Sequence, residues 1–276
     1  MAETIIVGVT EAAESRRAID WAAARAVALG QRLSLVAVVG GAVGAVGEDE
    51  IVDSAVVAAR AFVDAEAARV AVPGLHVETR VTPGDPVALL VDASEGASLL
   101  VIGGEPRGRG RRGQHGTRIA AGAHSPVVIV PALDDVPRSG VVVGVDGSGS
   151  SDHALDFAAA EAARLGEPLI VVSAWTPVAV PGDFGIYPDL YLSNLEQIAA
   201  STVDDVVARV QEAHPGLEVL PRVEQGDPST TINEAAAGAS LAVVGSHGRG
   251  AFARFLLGSV SEDVLSHLVT ATAVVR

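Results

Sequence analysis

The residues of this chain whose types and spacing could do chemistry are concentrated in one run. Gly245-Ser246-His247-Gly248-Arg249-Gly250 is followed by Ala251 to Leu257 and then by Gly258-Ser259-Val260-Ser261. Glycines at such points let the backbone approach a ligand closely. Gly258-Ser259 reads as the opening of a helix, whose unpaired N–H groups and positive dipole end favour phosphate. Ser259 and Ser261 add hydroxyl donors, and Arg249 adds a mobile positive charge. The chemistry implied is the holding of a phosphorylated small molecule. No Gly-Lys-Ser or Gly-Lys-Thr follows the glycines, so the run is not a Walker A loop. The first strand of this half leads into Asp146-Gly147-Ser148, not into the G-x-G-x-x-G of a dinucleotide fold.

Other chemistry finds little support. Seven histidines show no paired metal spacing, and the sequence names no metal ligand. No serine, histidine and acid can be placed together, and nothing reads as a positioned general base. His247 lies inside the glycine run, where it either touches phosphate or a partner or simply faces solvent in a turn. Taken singly, the glycines make turns and Asp146 or Ser148 caps a helix. Their joint spacing, after a strand and before a helix, is what points to a ligand.

The elements that must position these residues occur twice. Ile5-Ile6-Val7-Gly8-Val9 matches Val141-Val142-Val143-Gly144-Val145 at an offset of 136, and Gly84-Asp85-Pro86 matches Gly226-Asp227-Pro228 at an offset of 142. The second copy has gained six residues around Trp175 to Asn194, a Pro- and Gly-containing stretch with Tyr187 and Tyr191, read as a lid, an interface loop or a plain surface insertion. Pro131 to Ser139 has the composition of a short exposed linker. The domains are thus expected at 1–133 and 140–276. In the second, apolar runs at Val141 to Val145, Leu169 to Ala174, Leu217 to Val223, Leu241 to Val244 and Ala273 to Val275 have the length and β-branching of strands. Ser151 to Leu165, Leu195 to Ala213 and Pro228 to Ala236 have helical length or spacing. Strands alternating with helices imply an α/β fold, here two tandem open five-stranded parallel sheets. Ligands in such sheets bind beyond the carboxyl ends of the strands, where strand order reverses.

Composition narrows the partners. A formal net charge of -15 repels a polyanion and argues against nucleic acid. The absence of cysteine excludes disulfides and thiol chemistry and fits a reducing, cytoplasmic interior. No apolar stretch is long enough for a membrane span, and Met1 to Val9 does not read as a signal peptide.

The glycine run resembles the phosphate cradle of the universal stress protein family, whose ATP-binding members carry two glycines three apart, nine further residues, and then Gly-Ser or Gly-Thr. Gly245, Gly248, Gly258 and Ser259 fit that pattern without a gap, and the likeness extends over both copies. The resemblance implies an adenine nucleotide alpha hydrolase-like fold and ATP as the ligand; triphosphate chemistry makes Mg²⁺ its expected companion. By that resemblance Asp146 contacts the adenine or ribose, Val145 lines the base pocket and Ala174 lies near the adenine. Val244 and Gly245 pack on the ribose, while Gly248, Gly258, Ser259, Val260 and Ser261 hold the phosphates. It further implies intramolecular pairing of the two domains through their final strands, and allows pairing of two chains as a homodimer. A nucleotide-dependent regulatory module in stress response is the expected function. A slow ATPase, an AMP or cyclic AMP binder and a nucleotide-free interaction scaffold are its rivals.

The first copy departs from the pattern. Thr10 stands where Asp146 stands, and Pro106 takes the place of Gly248. Proline has no N–H to offer a phosphate. Arg107-Gly108-Arg109-Gly110-Arg111-Arg112 in the same loop reads as a solvated segment, an anion grip or a nucleic-acid contact. The intact site is therefore expected only in the second copy.

Overall fold

The computed structural model describes residues 3–40, 48–104, 113–134, 136–177, 189–248 and 256–276. Pro106, the arginine run at 107–112, Tyr187 and Arg249 lie outside them. The chain divides into two compact units, Met1–Asp134 and Asp135–Arg276.

The first unit runs β1 (Thr4–Val9), α1 (Ala13–Leu29), β2 (Arg32–Val39), α2 (Glu48–Val70), β3 (Val77–Pro83), α3 (Pro86–Ser94), β4 (Leu99–Gly104), α4 (Gly113–Gly122) and β5 (Val127–Pro131). Its strands lie in the order β3-β2-β1-β4-β5, all parallel. The second unit repeats this as β6 (Val141–Gly144), α5 (Gly149–Leu165), β7 (Leu169–Trp175), α6 (Asp189–Ala213), β8 (Val219–Gln225), α7 (Pro228–Ala236), β9 (Leu241–Gly245), α8 (Ser259–Ser266) and β10 (Thr272–Val275). Its order is β8-β7-β6-β9-β10, again all parallel. Strand order reverses beside β1 and β6, the place where such sheets open a crevice at their carboxyl ends.

Local chemistry repeats as faithfully as topology. Gly30 and Gly166 end α1 and α5 in the left-handed conformation, at φ of 63° and 69°. The next residues, Gln31 and Glu167, donate back to Ala26 and Ala162, closing the same C-terminal cap twice. Asp85 and Asp227 cap α3 and α7, each accepting a backbone N–H three residues on, with proline at the first helical position. Buried Leu33, Leu99, Leu169 and Leu241 begin a core that is aliphatic in both units. Among the described residues no helix is long and apolar enough to cross a membrane.

Three expectations change. The insertion was expected as loop through Asn194, but α6 begins at Asp189 and takes in Tyr191. The breakers Pro181, Gly182, Gly185 and Pro188 all precede Asp189, so nothing after Pro188 opposes a helix. Leu217 closes a turn by donating to His214, so β8 starts two residues later than the apolar run. The linker's second half is anchored to its own unit: Arg138 donates to the carbonyls of Ala237 and Val269, and the Ser139 N–H to Gly238.

Candidate functional site

Asp146 leaves the end of β6 into a tight turn. Gly147 takes a φ of 73°, a left-handed conformation suited to glycine. One oxygen of Asp146, Oδ1, accepts the Ser148 N–H at 2.9 Å. Ser148 is the residue that caps α5, accepting the Ser151 N–H at 3.3 Å. The second carboxylate oxygen faces the glycine run: a Cβ built on Gly248 would lie 2.7 Å from Oδ2. In the first unit Thr10 Oγ1 accepts the Ala12 N–H at 3.4 Å, which keeps the turn without the charge.

The run itself is closed at its base. Gly258 donates its N–H to Ser246 O at 2.8 Å, so the start of α8 returns to the end of β9. A Cβ on Gly258 would lie 3.4 Å from the Cα of His247. Gly258 is also the N-cap of α8 and offers no side chain to its first turn, in contrast to Ser148 and Asp227 on α5 and α7. The N–H groups that open α8 therefore receive no acceptor from their N-cap side chain. Ser261, expected to supply a hydroxyl donor, uses its hydroxyl within the fold and donates to Gly245 O at 2.5 Å.

Gly245 has a different reason to be glycine. A Cβ there would sit 2.9 Å from the backbone C and O of Ser150, at the start of α5. Gly103 stands at the same place in the first unit, and its Cβ would meet Glu14 C and Ser15 N at 2.7 Å. Both keep a helix start packed on a strand end, whatever binds nearby.

The predicted binding residues that the structure describes, Arg249 lying outside them, all line one cavity of about 560 Å³ at the carboxyl ends of β6, β7 and β9. Val145, Val172, Ala174 and Val244 supply an apolar wall from the strands. Asp146, Gly245, Gly248 and the α8 start from Gly258 to Ser261 supply the polar side. Sequence reasoning missed Val172, Pro228 and Ile232. Ile232 is seated on β6 by Gly144, where a Cβ would fall 2.5 Å from Ile232 Cδ1. A glycine between valines on a buried strand was the available signal. Beside these residues Asp227 is held below the usual carboxylate range, first by the Ser229 hydroxyl and then by the Thr230 N–H.

His247 also lines the cavity, with Nδ1 3.0 Å from Ser246 Oγ. Ser246 is only 2% exposed, so this contact orients the imidazole and does not present a nucleophile. Among the described residues no three His, Asp or Glu side chains gather as a metal site. A second cavity, of about 470 Å³, lies off the other face of β7, lined by Trp175, by Leu192, Ser193 and Glu196 of α6, and by Val223 and Gln225 of β8.

Comparison with known proteins agrees with this doubled architecture. A universal stress protein of Mycobacterium tuberculosis is 34% identical over 283 aligned residues, covering 95% of this chain and 92% of its own. One from Mycolicibacterium smegmatis is 35% identical over 209 residues, covering 74% of this chain and 70% of its own. The crystal structure of a universal stress protein from Archaeoglobus fulgidus covers 99% of this chain and 96% of that one at a TM-score of 0.71 and 19% identity, a likeness of fold. The sequence profile of the universal stress protein family matches residues 1–131 and again 138–276. With both halves matched, the chain belongs to the universal stress protein family, as a tandem two-domain member.

Proposed function

We propose that the second domain binds ATP and that the bound nucleotide makes this protein a regulatory module of the stress response. The observation that carries the reading is the pairing of an apolar wall with an uncapped helix start across one cavity. Val145, Val172, Ala174 and Val244 suit a flat base, and the N–H groups that open α8 suit phosphate. About 560 Å³ is within the range of small-molecule pockets, roughly 300 to 1,000 Å³. Asp146 gives this domain a charged turn residue where the first has the neutral Thr10, and Gly248 gives a close approach at a position that Pro106 takes in the first sequence copy. Arg249, next in sequence to Gly248, adds a charge to the phosphate end.

A nucleotide that binds one conformation better than another shifts the population toward it, and that differential affinity is the regulatory signal. Native mass spectrometry of the purified protein tests the first step, with one ATP per chain as the expected result. Calorimetry with ATP, AMP and cyclic AMP ranks the ligands. No binding of any of the three at millimolar concentration would leave a nucleotide-free scaffold in place of this reading. Phosphate release of several turnovers per second would make the protein an ATPase.

A further inference from the structure

The hollow of about 470 Å³ under α6 plays no part in the nucleotide reading, and its lining suits a ligand of its own. Its floor is the paired ends of two strands. Trp175 of β7 lies in register with Gln225 of β8, and Ser173 with Val223. Gly226 ties those ends together: its N–H donates to Trp175 O at 3.0 Å, and its carbonyl accepts the Thr176 hydroxyl at 2.7 Å. The wall is the first turns of α6. Ala199, Val203, Val206 and Val210 form the buried stripe of that helix, and steps of three and four residues back from Ala199 reach Glu196 and Leu192. A carboxylate thus stands where an apolar residue would continue the stripe. Neither the Glu196 nor the Gln225 side chain forms a hydrogen bond or ion pair among the described residues.

From β7 to the middle of α6 the charge has one sign. The chain contains no lysine, and between Arg164 and Arg209 the sequence carries no arginine or histidine either. The same stretch holds Glu167, Asp183, Asp189, Glu196, Asp204 and Asp205. Arg209, further along α6, pairs with Asp152. Arg222 alternates with Val223 and Gln225 along β8, which puts it on the opposite face, paired with Glu224. An anion therefore finds no counter-charge among the described lining residues. A bare metal ion finds one carboxylate, and the described residues gather no three-ligand cluster. A methylated ammonium ion uses the whole lining: its charge lies near Glu196, and its methyl groups pack on Trp175, Leu192 and Val223 without N–H donors to satisfy.

The first unit lacks this set. Val39 and Pro83 hold the register positions of Trp175 and Gln225, and Ser54 stands where Glu196 stands at the offset of 142. The aromatic and the carboxylate are thus not something the fold requires. We propose that the hollow under α6 is a second ligand site, which takes a small methylated ammonium ion between Trp175 and Glu196. The formal net charge of -15 raises the local concentration of such a cation. The site is independent of the nucleotide reading and lies on the other face of β7.

The test is calorimetric titration of the full chain with choline chloride and with 3,3-dimethylbutan-1-ol, its uncharged carbon isostere, at constant ionic strength. Choline is expected to bind once per chain with a Kd on the order of millimolar, the scale of one cation–π contact and one carboxylate at an open site. The alcohol should bind about tenfold more weakly. Trp175→Leu and Glu196→Gln should each weaken choline about fivefold, and Glu196→Arg should abolish binding. Choline should move the Trp175 indole N–H resonance, assigned by its loss in Trp175→Leu, and leave that of Trp21 in α1 in place. Glu196 is exposed, so Glu196→Gln keeps the thermal midpoint and carries the test even if Trp175→Leu unfolds. A titration that stays silent up to about 100 mM choline overturns the proposal. Equal affinity for the alcohol overturns it too, by making the hollow merely apolar. So does full choline affinity in Glu196→Gln, which would put the cation elsewhere on an acidic surface.

Discussion

Gly248 and Asp146 fit one another: the carboxylate Oδ2 occupies the space beside Gly248 where a Cβ would come within 2.7 Å. The contact joins the turn after β6 to the run after β9, about a hundred residues apart in sequence. Because the clashing atom is the end of a side chain, Gly248→Ala displaces the carboxylate and leaves the backbone in place. Equilibrium unfolding should change by less than about 1 kcal/mol. On the proposed ATP reading, affinity for ATP should fall about tenfold, or about 1.4 kcal/mol, by calorimetry.

Gly245→Ala should behave in the opposite way. Its Cβ meets the backbone of Ser150, which cannot move without shifting the start of α5. Gly103→Ala meets the backbone of Glu14 and Ser15 in the first unit. Each substitution should cost about 1–3 kcal/mol or more in urea denaturation, in the range of other overpacking changes. A loss of nucleotide affinity without loss of stability in Gly245→Ala would make that glycine a ligand contact and not a packing one.

The helix caps differ between the copies. Ser148→Ala removes the acceptor of the Ser151 N–H and should destabilise the second unit by about 1 kcal/mol. Ala12, the N-cap of α1, makes no side-chain cap and has extended φ and ψ of -70° and 151°. Ala12→Ser should therefore stabilise the first unit by about 0.5–1 kcal/mol. Thermal unfolding of the two variants checks both signs.

Acid should act on α7 through Asp227. Its folded carboxyl titrates below the usual range because the Ser229 hydroxyl and the Thr230 N–H donate to it. The stability this gives is present above the unfolded value of about 3.9 and is lost as pH falls toward the lower folded value. Asp227→Asn should lower stability near neutral pH and flatten the acid limb below about pH 4. Urea midpoints at pH 3 and pH 7 measure the difference.

Most of the fold could be read in advance because its signals are local. Val141 to Gly144 and Leu241 to Gly245 are short β-branched runs between polar stretches, and they form β6 and β9. The start of α6 was misplaced because Pro188 made its surroundings look irregular, although a proline just before a helix opposes nothing. The site was only partly legible. The residues after β9 announce themselves by spacing, and Val145 and Asp146 are implied by the family resemblance, whereas Val172 and Ile232 reach the cavity from other elements and carry no motif. Gly245 and Gly248 are the same residue type with different duties. Comparison of the copies separates them: Gly103 keeps the packing glycine, while Pro106 replaces the other.

Successive side chains of β7 look into different spaces, Ala174 into the cavity beside Asp146 and Trp175 into the hollow under α6. The indole of Trp175 is thereby placed as an optical reporter that a ligand need not touch. A nucleotide bound as proposed would press on the end of β7 and alter the surroundings of a fluorophore one residue away, on the far side of the sheet. The chain has one other tryptophan, Trp21 in α1 of the first unit. Trp21→Phe leaves a single emitter, and occupancy of the second domain can then be followed by unlabelled emission in real time.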